Sequence, residues 1–291
     1  MPRLHEHQID VPRAVVRSLV DAQFPQWSGL ALRTLASDGT INRVDLLGDE
    51  LVVRMPFIDW GAGDVAWDVE ILPILAPSIP VAVPTLVARG EAGPGMPWEW
   101  GVYELLPGRH PDPANPADED ALAAGLVDAI RALRAITAVS RNALSSFDAA
   151  ADDAQTRPKV EALGSAAATA AWDAATTTPA HAGPPVLVHG DLMPGNLLVD
   201  DHPPQLAAIL DWAAAGVGDP ALDLLPAWMC LTARTRAQFL EALGATDHEV
   251  IRARAYAVRK IAWGLPYYAQ SNPGFAATLR HALGEVERDL A

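Results

Sequence analysis

Residues 186–212, "VLVHGDLMPGNLLVDDHPPQLAAILDW", restrict the fold of this chain more than any other stretch. Short apolar runs at 186–188 and 196–200 read as strands, "DHPP" turns the chain, and "QLAAILDW" carries it back. A turn centred between His202 and Pro203 places Asn196 opposite Ile209 and makes Asp211 its diagonal neighbour. The segment thus sets His189, Asp191 and Asn196 at the mouth of a core. Burying such groups costs free energy unless something pairs with them, so a shared partner is expected there.

Asp191, Asn196 and Asp211 all bear oxygen and fall within twenty-one residues. Hard oxygen ligands suit Mg2+, which binds through one or two carboxylates and completes its shell with phosphates and water. One carboxylate would then remain, and Asp191 could accept the proton of an attacking hydroxyl. His189, Asp191 and Asn196 keep the spacing of the protein-kinase pattern H-R-D-x-x-x-x-N, and Asp211 follows one strand pair later, as the D-F-G aspartate does.

Elsewhere, Asp10 is expected to cap a first helix with Val11, Val15, Leu19 and Val20 facing inward. Strands are expected near 30–36, 41–47 and 51–55, then a helix carrying Val65, Val69, Leu72 and Leu75, then two strands in "VPTLVARG" and "EWGVYELLPG". Residues 1–106 read as a small antiparallel-sheet lobe with one packed helix, and 107–291 as a larger, mainly helical lobe. "LPGRHPDPANPADED" marks the boundary, and a helix near 117–138 follows it.

"LVVRMP", "PWEWGVYELLPG", "LVHGDLMPGNLLVD", "AAILDWAAAGVGDPALDLL" and "LPYYAQSNP" together resemble the aminoglycoside phosphotransferase family, which also holds macrolide and other small-molecule kinases. "HGDLMPGN" with "ILDW" is the specific part of the likeness. The resemblance implies an α+β, protein-kinase-like, two-lobe fold with a hinge at about 103–107. It implies transfer of the γ-phosphoryl group of ATP or GTP to a small-molecule hydroxyl, with Mg2+ as cofactor. It makes Asp191 the catalytic base, Asn196 and Asp211 the Mg2+ ligands and His189 a scaffold residue of the catalytic loop, and gives Glu104 and Leu106 the hinge positions whose backbone meets the base. "SDGTIN" sits where the phosphates are covered, so Thr40 is a candidate contact. Arg54 occupies the position of the nucleotide-phosphate lysine; an arginine fork also grips phosphate, with different geometry. Glu70, sixteen residues on, is its expected ion-pair partner, ahead of Asp68.

The acceptor expected from the likeness is an aminoglycoside-type or other antibiotic, with a small metabolite such as an amino alcohol, sugar or sugar amine as the alternative. "AAAGVGDPALDLL" moves straight from Asp211 into a helix capped by Asp219, which leaves no room for the activation segment of a protein kinase. A formal charge of −15 disfavours nucleic acid and anionic membranes and suits a cationic ligand. The lone Cys230 excludes an internal disulfide, and the N-terminal stretch has no apolar signal segment, so a cytoplasmic protein is expected.

Two other readings use the same residues: an inactive nucleotide-binding fold, raised by Arg54, and a metal-dependent phosphohydrolase, raised by His189 and Asp191. "GVGDPA" imitates a dinucleotide loop, but Asp219 would face the pyrophosphate and no βαβ unit surrounds it. His5 and His7 are expected to face solvent, as are Glu285, Glu287 and Asp289. Arg252, Arg254, Arg259 and Lys260 are expected to form a solvated face. Asp219 and Asp223 are expected to be structural, and Tyr256, Trp263, Tyr267 and Tyr268 to pack in the core or on the surface.

Overall fold

A computed structural model describes residues 3–35, 39–113, 115–144 and 147–291. "SDG", the start of the phosphate-covering loop expected from sequence, lies mostly outside them, since Ser37 and Asp38 are not described. The chain divides into two compact units, 1–77 with 83–107, and 78–82 with 108–291. The division differs from the sequence reading in the short segment 78–82, where Ala82 bridges Ala208 and so joins the second unit.

In the first unit, α1 (Arg13–Gln23) precedes β1 (Leu32–Thr34), β2 (Asn42–Leu47), β3 (Leu51–Pro56), α2 (Asp64–Leu75), β4 (Leu86–Gly90) and β5 (Trp100–Glu104). The strands form one antiparallel sheet in the order β1-β2-β3-β5-β4. Val16, Leu19 and Val20 of α1 pack on Leu47, Val53, Met55, Trp100 and Val102 of the sheet. Burial at about 25 cal/mol per Å2 of apolar surface is what holds this layer pair together. Asp10 does not cap α1: the helix starts after Pro12, whose fixed φ suits the entry and which offers no capping side chain. On α2, Val69 is exposed and Asp68 is buried, the reverse of the apolar pattern, because Asp68 is drawn inward by polar partners.

The second unit contains α3 (Pro116–Arg134), α4 (Ala149–Ala162), α5 (Ala166–Thr177), β6 (Val186–Val188), β7 (Leu197–Asp201), β8 (Pro204–Ile209), β9 (Gly216–Gly218), α6 (Pro226–Met229), α7 (Ala233–Ala242), α8 (Asp247–Tyr268) and α9 (Pro273–Asp289). Asn115 caps α3 through Ala117 N, and a capping box of Thr246 and Glu249 starts α8. Trp172, Trp228, Tyr256 and Phe239 are fully buried among the helices. Among the described residues no helix is long and apolar enough to cross a membrane.

β7 and β8 form the expected hairpin, with Asp201 opposite Pro204 across the turn. A register shift between Leu198 and Val199 then sets Leu197, not Asn196, opposite Ile209. The bulge adds one residue, Ala207, to β8 and moves Asn196 just beyond the ladder, where its carbonyl accepts from Leu210 N at 2.7 Å. β6 pairs with β9, Val188 opposite Gly216. A Cβ on Gly216 would lie 2.5 Å from Ala143 N and from the Asn142 carbonyl carbon, both backbone atoms. Gly216→Ala is therefore expected to destabilise the protein by about 1–3 kcal/mol through overpacking, read as a lower denaturant midpoint at unchanged slope.

Candidate functional site

The loop after β6 is held from three sides. His189 is fully buried; its Nδ1 accepts from Asp191 N at 3.1 Å, so its hydrogen is carried on Nε2, 3.0 Å from the Leu210 carbonyl. The ring lies 4.6 Å from that of Trp212. Asp223, also fully buried, accepts from His189 N at 3.0 Å and from Gly190 N at 2.9 Å. Burial pushes the Asp223 carboxyl up, and the two backbone N–H groups partly counter it. Gly190 has φ +76°, a left-handed conformation that an L side chain adopts only with strain. Tyr256 Oη of α8 donates to the Gly190 carbonyl at 2.8 Å.

This scaffold presents Asp191, the expected base, with its side chain 31% exposed. Lys260 Nζ donates to Asp191 Oδ1 at 2.6 Å. Asn196 Nδ2 donates to Asp191 Oδ2 at 3.2 Å and to the Asp191 carbonyl at 2.9 Å. Burial alone would raise the Asp191 carboxyl, but the Lys260 ammonium overrides it by charge and hydrogen bond, with Asn196 assisting. The carboxyl is consequently held below the usual carboxylate range. The same pairing pushes the Lys260 ammonium up against its own desolvation.

Asp211 has φ 58° and ψ 75°; among the described residues it is the only one other than glycine with positive φ. Strain of this kind concentrates at functional positions, and aspartate is among the residues that tolerate it best. Because Leu210 N bonds the Asn196 carbonyl, Asp211 starts one residue beyond Asn196's own backbone partner. Asn196 turns its amide hydrogens to Asp191, so its side-chain oxygen is the atom it could offer a metal; with the Asp211 carboxylate it would make an all-oxygen pair of the kind that suits Mg2+. Among the described residues no group of three or more His, Cys, Asp or Glu side chains is placed to hold a metal ion. A surface depression of about 570 Å3, lined by Asp120, Gly125, Asp128 and Leu206 among others, shares no residue with this loop.

The expected solvated face does not exist as such. Arg252 and Tyr256 are buried, Arg252 pairs with Asp219 at 2.6 Å, Arg254 with Asp289 at 2.8 Å and Arg259 with Asp152 at 2.5 Å. Glu285, expected at the surface, is buried against Arg236 and Arg288. Apart from Glu285 with Arg288, which are three residues apart on α9, each pair joins residues distant in sequence, which no local charge pattern reveals. Lys260 was hidden for the same reason, its only sequence signal being the scarcity of lysine: Lys159 and Lys260 are the chain's two. Asp219 and Asp223 do act structurally, Asp219 capping the turn at Pro220–Leu224 through Ala221 N.

In the first unit, Arg54 lies on β3 opposite Gly101 of β5. Its partner is Asp68, with Arg54 Nη1 4.0 Å from Asp68 Oδ2, and not Glu70, which is exposed. The helical phase of α2 decides this: Asp68 shares the buried side with Val65, Ile71, Leu72 and Leu75, while Glu70 points to solvent. Tyr103 Oη donates to Asp68 Oδ2 at 2.6 Å, and the Arg54 guanidinium sits 5.6 Å from the Tyr103 ring centre. Burial pushes the Tyr103 hydroxyl well above its ordinary range despite Arg54.

Thr40 is half-buried, and its carbonyl bonds His5 Nε2 at 2.5 Å. His5 is thus buried, edge-on to Trp60, and not solvent-facing. Glu104 N donates to the Thr85 carbonyl at 3.0 Å, so the Glu104 carbonyl is the backbone group that residue can offer a base; Leu106, next but one along the chain, is half-buried.

A family model described as the phosphotransferase enzyme family matches residues 33–260. No curated protein matches the sequence. Among solved structures, the GDP and kanamycin complex of APH(2″)-IIIa superposes with TM-score 0.74 at 20% identity, covering 94% of this chain and 98% of that one. The gentamicin complex of APH(2″)-IIa gives 0.62 at 16%, covering 97% and 100%. The macrolide 2′-phosphotransferase MphH from Brachybacterium faecium gives 0.56 at 25%, covering 91% and 98%. These likenesses span both units and agree with a kinase-like α+β fold. The matched stretch contains Arg54, the His189–Asn196 loop, Asp211 and Lys260, so the chain belongs to the phosphotransferase enzyme family, as a kinase-type enzyme that acts on small-molecule hydroxyl groups.

Proposed function

We propose that this enzyme moves the γ-phosphoryl group of ATP or GTP to a hydroxyl of an aminoglycoside-type or other antibiotic, with Asp191 as base and Asn196 and Asp211 as Mg2+ ligands. The observation that carries the reading is the Asp191 carboxylate, fixed by Lys260 at 2.6 Å and Asn196 at 3.2 Å, with the left-handed Asp211 directly after Leu210, whose N bonds the Asn196 carbonyl. Asp191 would accept the proton of the acceptor hydroxyl as its oxygen bonds phosphorus and the bridge to the nucleoside diphosphate breaks. Mg2+, when bound with nucleotide, would neutralise phosphate charge. Arg54, oriented by Asp68 and Tyr103, would contact the nucleotide phosphates, Thr40 would lie near them, and Glu104 and Leu106 would offer backbone groups to the base.

Solved relatives in complex with kanamycin, gentamicin and streptomycin support the aminoglycoside class, as does the formal charge of −15. The macrolide enzyme at 25% identity supports keeping macrolides in the test. The test is label transfer from γ-labelled ATP and GTP, with Mg2+, to a panel of aminoglycosides, macrolides, amino alcohols and sugars. Transfer to an antibiotic supports the reading; transfer only to a metabolite moves the acceptor class. Nucleotide binding without any transfer would mark an inactive fold, and phosphate release from esters without nucleotide a hydrolase.

Arg54→Ala is expected to raise the nucleotide KM about 10-fold to 100-fold, the effect of losing a charged hydrogen bond of about 1.5–3 kcal/mol. Initial rates over a nucleotide series measure it. An unchanged KM would remove Arg54 from the phosphate site.

A further inference from the structure

Tyr256 and Lys260 lie four residues apart on α8, and Arg252 another four before them, so the three form one stripe along the helix. Each grips a different layer of the catalytic loop's support. Arg252 holds Asp219, the cap of the turn that carries Asp223. Tyr256 holds the Gly190 carbonyl, while Asp223 holds the Gly190 amide. Lys260 reaches the functional atom itself, Oδ1 of Asp191, with its ammonium 5.2 Å from the Tyr256 ring centre.

The loop "HGDLMPGN" contains no arginine or lysine, and glycine stands between His189 and Asp191 where the protein-kinase pattern has arginine. A cation on the loop's aspartate must therefore come from another element. Asp191 Oδ2 is anchored by Asn196, but one amide contact at 3.2 Å leaves the carboxylate free to swing about its last bond. The second anchor at Oδ1 fixes its plane.

We infer that Lys260 is a positioning residue of the phosphoryl-transfer reaction, holding the Asp191 carboxylate in the one orientation from which it meets the acceptor hydroxyl. The inference rests on the kinase reading proposed above. In that step the acceptor proton passes to Asp191, the acceptor oxygen bonds the γ-phosphorus, and the nucleoside diphosphate leaves with the electron pair of the broken bond; Lys260 keeps its protons throughout. Misplacing a reacting group by about 1 Å costs on the order of 100-fold in rate.

The experiment compares wild type, Lys260→Met and Lys260→Cys, the last before and after treatment with 2-bromoethylamine, which rebuilds a lysine-like ammonium. Cys230 is buried, and wild type treated with the same reagent shows any effect of modifying it. Lys260→Met is expected to lower kcat about 10-fold to 100-fold with nucleotide and acceptor KM changed less than about threefold. Aminoethylation of the cysteine variant is expected to restore most of kcat. Wild-type kcat in Lys260→Met, or a loss that follows a fallen Tm and is not rescued by aminoethylation, overturns the inference and leaves a structural ion pair. If wild type itself transfers no phosphoryl group to any acceptor, the functional reading fails and the inference falls with it.

Discussion

Asp191→Ala is expected to lower kcat by about 1,000-fold, within the range that a positioned general base supplies. Nucleotide affinity should stay within about threefold of wild type, because the residues proposed to hold the base and phosphates belong to the first unit and the proposed metal ligands remain. Removing the carboxylate also leaves Lys260 Nζ without its 2.6 Å partner, so a rise in Lys260 mobility is expected. Asp191→Asn separates the two effects: the amide oxygen still accepts from Lys260, but the side chain can no longer take a proton. Both variants should therefore lose kcat alike, while only alanine disturbs the α8 contact. Single-turnover rates with labelled nucleotide, alongside equilibrium titration of the nucleotide, measure this. An Asn variant that keeps a substantial fraction of wild-type kcat would show that Asp191 orients the acceptor and does not serve as its base.

Local pattern carried much of the fold. The short runs "NRVDLL" and "LVVRMP" on either side of "GDE", the turn in "DHPP" and the spacing along residues 64–75 each placed an element to within a residue or two, since period and turn chemistry act over short range. Long-range choices were not legible. The one-residue bulge at Ala207, opposite Leu198 and Val199, shifts the partner of Ile209, and nothing in the apolar pattern of either strand announces it. The choice between Asp68 and Glu70 turned on helical phase relative to β5, and a buried carboxylate breaks the very pattern from which phase is read. In the loop after β6, His189, Asp191 and Asn196 could be singled out because their spacing is local. Lys260, sixty-nine residues from Asp191, could not, and nor could the ion pairs that join Arg252 to Asp219 and Arg259 to Asp152.

Asp223→Ala is expected to cost about 2–4 kcal/mol of stability, because it strands two buried N–H groups, His189 N and Gly190 N, each worth about 1–3 kcal/mol unsatisfied. Part of that loss is offset, since burying this carboxylate is itself unfavourable, as its raised pKa shows. The larger effect is expected on rate. Gly190 holds its left-handed conformation with its amide on Asp223 and its carbonyl on Tyr256, and Asp191 follows directly. Releasing one of those two holds lets Asp191, the proposed base, drift, so kcat should fall about 100-fold while KM for nucleotide stays near wild type. Asp223→Asn should lie between: one amide oxygen can still accept from Gly190 N and His189 N, but its NH2 group meets no acceptor there. Thermal unfolding together with kcat for both substitutions separates the contributions. If Asp223→Ala melts and turns over like wild type, the loop is set by His189 and Tyr256 alone, through the bonds from Nε2 to Leu210 and from Oη to Gly190.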